Sequence, residues 1–149
     1  MKLQISHSFA ASPPEVFAAL IDPAILQRCV DGCEKLEKTG EDAYAVQMKV
    51  GVAGMKGSYG GKVQITEKQP PEGLTLAMDG KGAPGFVKAT ARLRLAAAGD
   101  RTQLSGDADA TVGGLIAAIG SRLIEAVAKK MMGEFFTRLE AEIISRRAS

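Results

Sequence analysis

The stretch Gly114–Arg146, "GLIAAIGSRLIEAVAKKMMGEFFTRLEAEIISR", decides the fold. It contains no proline, and Ile116, Ile119, Leu123, Val127, Met131, Phe135, Leu139 and Ile143 keep helical spacing along it. The spacing predicts one long amphipathic helix, roughly 45 Å at 1.5 Å per residue. Ile124, Met132 and Phe136 widen its apolar stripe beyond a narrow coiled-coil seam. Such a helix must lie on something broad, and a sheet is the one surface the rest of the chain can offer.

Upstream, the chain reads as that sheet. Leu3, Ile5, His7 and Phe9 alternate with Lys2, Gln4, Ser6 and Ser8, which predicts a strand with one buried face. In "SPPEVFAAL" Ser12 caps, Pro13 fits the first helical position and Glu15 closes the S-x-x-E box. Asp22-Pro23 breaks this short helix, and "AILQRCV" reads as a second one that ends near Asp31-Gly32. From there to about residue 112 strands alternate with turns. Their inner faces are Tyr44–Val52, then Met55 through Tyr59 to Ile65, then Leu74–Met78, Val87–Leu95 and Leu104–Val112, each taken at every second residue. "GKGAPGF" (80–86) reads as the tightest turn cluster. Polar residues on the opposite parity predict an antiparallel sheet with one wet side. The order strand, two short helices, six strands and a terminal helix gives an α+β class.

Composition narrows the function. At 149 residues and 46% hydrophobic, the chain has the length of one domain with a real core, and a single domain over residues 1–149 is expected. A net charge of +2, with 19 basic and 17 acidic residues scattered along the chain, argues against nucleic acid. No apolar run approaches the roughly 18 residues that span a bilayer, and polar residues interrupt the N-terminal stretch where a signal core would lie. A cytoplasmic protein is expected. Cys29 and Cys33 are the two cysteines, and C-x3-C lacks the spacing and partner ligands of a structural zinc site, so reduced thiols and no metal are expected.

The glycines raise a separate question. Between Met48 and Ile65 the sequence "MKVGVAGMKGSYGGKVQI" places five glycines where strands normally avoid them. Gly57 and Gly61 fall on the inner face, as do Ala89, Ala91, Ala108 and Ala110 in later strands. Small residues there either let the helix approach closely and the sheet bend, or leave space for a guest. Composition alone leaves both readings open.

Four blocks carry a family resemblance: "RCVDGCEKLEKTGEDAYAVQMKV", "GMKGSYGGKV", "GKGAPGFVKATARLRL" and "ATVGGLIAAIGSRLIEAVAKKMMGEFF". They resemble the carbon monoxide dehydrogenase subunit family CoxG, in the expected order and over about residues 2–145. The element order resembles the helix-grip fold of the START-like (SRPBCC) superfamily, in which a curved antiparallel sheet wraps a long C-terminal helix around an apolar cavity. The resemblance implies a non-catalytic accessory subunit of a molybdenum hydroxylase that helps recruit it to the cytoplasmic membrane, with peripheral contact at the inner face. Two departures stand out. Where the family usually reads C-I-P-G-C, this chain has Cys29-Val30-Asp31-Gly32-Cys33, which predicts a more flexible loop. Many members also continue past the long helix into an apolar segment, whereas this sequence stops at Arg146-Arg147-Ala148-Ser149, so permanent anchoring is not expected.

With a cavity implied, the candidate ligand-contacting residues are those on inward parities that suit a flexible apolar guest such as a quinone or a lipid chain. On the strands these are His7, Phe9, Tyr44, Met48, Tyr59 and Met78; Phe86 is placed on a rim loop, and Met131 and Phe135 on the helix stripe. Each of these residues also suits an ordinary core. A lone histidine on an apolar strand face is more often a hydrogen-bonded core residue than a catalyst, and no G-x-S-x-G elbow supports a triad. An enzyme of the cyclase type would need His7, Tyr44 and Tyr59 to converge, and a purely protein-binding subunit would have a collapsed cavity. Lys129, Lys130, Arg138, Arg146 and Arg147 would permit attraction to anionic lipid.

Overall fold

The computed structural model describes residues 1–52 and 54–147. The elements are β1 (Lys2–Phe9), α1 (Pro13–Leu20), α2 (Pro23–Cys29), β2 (Cys33–Gly40), β3 (Ala43–Val50), β4 (Gly57–Gln69), β5 (Gly73–Gly82), β6 (Gly85–Ala98), β7 (Arg101–Gly113), a 3₁₀ segment (Gly114–Ile119) and α3 (Ser121–Arg147). Seven strands form one sheet in the order β1-β7-β6-β5-β4-β3-β2, with every neighbouring pair antiparallel. This is the α+β helix-grip arrangement that the sequence order implied: a curved sheet gripping a long C-terminal helix.

Local chemistry explains the connections. Ser12 N donates to Glu15 Oε1 at 3.1 Å at the start of α1. Asp22 Oδ1 accepts from Ala24 N and Ile25 N, so the break at Asp22-Pro23 doubles as the cap of α2. The Asp31-Gly32 turn, expected to be loose, is tied to the sheet: Lys49 N donates to Gly32 O at 2.8 Å and Cys33 N to Val30 O at 3.2 Å.

The terminal helix differs from its expectation in two ways. It does not begin at Gly114: Gly120 takes φ 96°, a left-handed value that a helix interior excludes, and splits off the 3₁₀ segment. Its buried line is also shifted. Ile124, Phe136, Leu139 and Ile143 are buried, whereas Leu123 stands 47% exposed and Val127, Met131 and Phe135 are half-buried. The cause is geometric. Steps of four residues advance 400°, so the predicted row Leu123-Val127-Met131-Phe135-Leu139 drifts about 40° per step around the helix, from the solvent side to the core.

The closed end of the core gathers Phe9, Val16, Phe17 and Ile25 with Leu95, Leu104 and Leu139. Here the backbone of α3 runs close to α1, α2 and β1. Polar bonds secure the same end: Ala10 N donates to Glu140 Oε2 at 2.6 Å, Arg28 pairs with Glu142 at 2.9 Å, Arg146 with Asp22 at 3.3 Å and Arg147 with Glu15 at 2.7 Å. These ion pairs are half exposed, so each contributes little alone. Together they anchor the C-terminal half of α3, and the N-terminal half carries only the intrahelical Glu125–Lys129 pair among the described residues.

Candidate functional site

Register places the inner-facing residues in rows across the sheet. Beside the closed end, Ile65, Leu76, Ala91, Ala108 and Leu3 lie side by side, and all but Leu76 are buried. The next row is Tyr44, Val63, Met78, Ala89 and Ala110, where Tyr44 is buried but Met78, on the central strand, is 38% exposed. The row beyond, Val46, Gly61, Gly80, Val87 and Val112, is half-exposed throughout. The concave face therefore opens progressively away from the anchored end of α3. A face meant only to be packed would carry closely fitted branched side chains along its whole length.

The two glycines of that open row do different things. A Cβ on Gly61 would lie 2.8 Å from Asp79 O and 3.1 Å from Gly80 Cα, so this glycine permits the close approach of β4 and β5 that curvature needs. A Cβ on Gly80 would meet nothing nearer than Gly60 O at 3.9 Å. The space above Gly80 is open. Gly61 thus fits the curvature reading, while Gly80 leaves open space on the concave face.

Several proposed site residues lie on the strands bordering this row or on α3. Met48 and Tyr59 pair across β3 and β4, Met78 lies on β5, and Met131 and Phe135 are half-buried on α3. Others do not join them. Phe9 is fully buried in the closed end. Phe86 was expected at the rim of the cavity, but strand alternation turns it away from Val87 and lays its ring over Gly113 on the convex face, 39% exposed. Met55, expected on the inner strand face, precedes β4 and serves as a backbone acceptor instead. Gly80 is a contributor that sequence reading assigned to a turn; the alternation Leu74-Leu76-Met78 continues through it, because β5 runs on to Gly82.

The polar groups near the face are committed to structure. Tyr59 Oη donates to Met55 O at 2.6 Å and Tyr44 Oη to Ile21 O at 3.2 Å, and burial pushes both phenols above their ordinary pKa, so they remain protonated donors. His7 packs edge-on against Phe9, with centroids 4.5 Å apart, and against Phe136 at 5.5 Å. Its Nε2 is sealed from solvent and has no hydrogen-bond partner among the described residues. Cys29 is buried and Cys33 half-buried; burial raises both thiol pKa values, which disfavours the reactive thiolate. No group of three or more His, Cys, Asp or Glu residues converges for a metal among the described residues. What the arrangement offers is an open, apolar, adaptable surface.

Comparison with known proteins agrees with the fold. The family model for CoxG, described as a subunit of carbon monoxide dehydrogenase, matches residues 6–144. The chain belongs to the CoxG family. A conserved protein from Geobacillus kaustophilus has a crystal structure similar to this CoxG chain, with 37% identity, a TM-score of 0.94 and coverage of 97% of this chain and 96% of that one. A START superfamily protein from Mycobacterium smegmatis matches at TM-score 0.73 with 12% identity, covering 97% of each chain. A protein from Chromobacterium violaceum matches at 0.71 with 16% identity over 95% of this chain and 96% of that one. The last two show the fold alone. No curated protein matches the chain. No helix among the described residues is long and apolar enough to cross a membrane.

Proposed function

We propose that this CoxG chain is a non-catalytic accessory subunit that holds a lipophilic molecule, a quinone or a lipid chain, on the concave face beneath α3, and that it helps bring a carbon monoxide dehydrogenase-type molybdenum hydroxylase to the cytoplasmic membrane. The observation that carries the ligand half of the reading is the open row Val46-Gly61-Gly80-Val87-Val112, apolar yet half-exposed on a face that α3 should cover. Methionines flanking it suit a guest of variable shape. Family membership supports the partner half. The non-catalytic reading is supported by the neighbours: both tyrosine hydroxyls donate to backbone carbonyls.

The test is to purify the protein from its native host without detergent, extract it with organic solvent and identify any lipophile by mass spectrometry. A quinone or lipid at near-stoichiometric amounts is expected. An empty protein, still empty after incubation with quinone-containing membranes, would reject the ligand reading and leave recruitment through protein contacts.

A further inference from the structure

The open end of the concave face is built from three segments that touch. Ile119, at the end of the 3₁₀ segment, packs against Gly54 in the loop before β4; the Pro84 ring of the β5–β6 turn lies beside Gly57; and Ile116 N donates to Pro84 O at 2.9 Å. This end carries most of the large apolar side chains that the described fold leaves in solvent. Leu115 is 74% exposed and Leu123 47%, with Phe86 and Val52 on the flanking strand and loop; Ile144, the counterpart at the anchored end, stands apart from them.

Charge is distributed the same way. The residues surrounding these apolar groups, 49–52, 54–60, 79–88 and 111–124, contain five cations (Lys49, Lys56, Lys81, Lys88 and Arg122) and one carboxylate, Asp79, within a chain whose net charge is only +2. Asp79 approaches Lys88 at 4.0 Å, and the other four cations have no ion-pair partner among the described residues. The basic residues near the C-terminus of α3 offer a contrast: Arg138, Arg146 and Arg147, which sequence made candidates for lipid contact, are paired with Asp31, Asp22 and Glu15.

We infer that this end of the molecule docks on an anionic phospholipid surface, with Leu115 and Leu123 entering the headgroup region and Lys49, Lys56, Lys81 and Arg122 meeting lipid phosphates. Lysines around a few separate apolar tips fit a bilayer interface better than a protein partner, because protein interfaces are depleted in lysine and favour a contiguous apolar centre. The inference deepens the proposed function by facing the open row toward the membrane, so that a lipophile passes between bilayer and concave face without crossing water.

The experiment is co-sedimentation of the full chain with phosphatidylcholine vesicles, with and without phosphatidylglycerol, at low and high salt. Binding is expected only with phosphatidylglycerol and should weaken as salt rises. Leu115→Glu should abolish it, and Lys56→Glu with Lys81→Glu should weaken it by about fivefold or more per lysine, while Ile144→Glu at the opposite end leaves it intact. An unchanged Tm confirms that these exposed changes spare the fold. No phosphatidylglycerol-dependent binding, or binding indifferent to Leu115→Glu, overturns the inference. Loss of hydroxylase co-precipitation in Leu115→Glu with vesicle binding preserved also overturns it and assigns the surface to protein. The two readings fail separately: an empty protein that still binds vesicles rejects only the ligand, and a loaded protein that ignores vesicles rejects only this docking surface.

Discussion

Replacing Gly80 by leucine separates an open concave face from a packed one. A Cβ at this position finds its nearest neighbour at 3.9 Å, and Val87 and Met78 lie beside it on the same face. Half-burying the four side-chain carbons of leucine against these neighbours is worth about 1 kcal/mol. Removing the extra freedom of glycine from the unfolded chain adds about 0.5 kcal/mol. Gly80→Leu should therefore stabilise the protein by about 1–1.5 kcal/mol, raising Tm by about 3–5 °C for a domain of this size. Gly61→Leu is the matched control, since Gly61 and Gly80 are direct partners across β4 and β5. There a Cβ would sit 2.8 Å from Asp79 O, backbone that cannot step aside, and the variant should lose about 2 kcal/mol or more. Thermal and urea denaturation of both variants, with any lipophile that co-purifies measured alongside, provide the assay. Gly80→Leu should keep the fold and lose the lipophile. If it destabilises the protein as much as Gly61→Leu does, the face is filled and there is no open space above Gly80.

Two further outcomes follow from the anchored end of α3. Hydrogen bonds from Arg147 foremost, and then from Ser12, lower the Glu15 pKa to about 2, from 4.5 for the free side chain. Below the unfolded value the unfolded chain takes up the proton first, so this contribution is present above about pH 4.5 and is lost as pH falls toward 2. Glu15→Gln should flatten the acid limb of a stability–pH curve measured by urea denaturation; an unchanged limb would show that the pair does not persist in solution. Along the helix, Leu139→Ala should cost about 3–5 kcal/mol because Leu139 is fully buried, whereas Leu123→Ala should stay within about 0.5 kcal/mol. Equal losses at the two positions would refute the drift of the apolar row.

Much of the fold was legible because its signals are local. Strand parity from Tyr44 to Met48, the Ser12–Glu15 box and the Asp22-Pro23 break each depend on residues a few positions apart, and the structure reproduces them. The long apolar helix and its need for a sheet were likewise readable from spacing. Errors arose where spacing was only approximate: rows of every fourth residue hid a slow rotation, and the helical pattern ran through Gly120 because its apolar residues stay in phase on both sides.

The candidate site was only half legible. Sequence alone determined which residues alternate inward, that small ones are common among them, and that tyrosine and methionine lie near them. Only the tertiary structure decided that Gly61 meets the backbone of β5 while Gly80 faces empty space, that Phe86 turns to the convex side, and that the arginines at the end of α3 are already paired. These facts depend on which strand lies beside which and how far α3 stands from the sheet. Both are set by contacts between residues far apart in the chain, which no local pattern encodes.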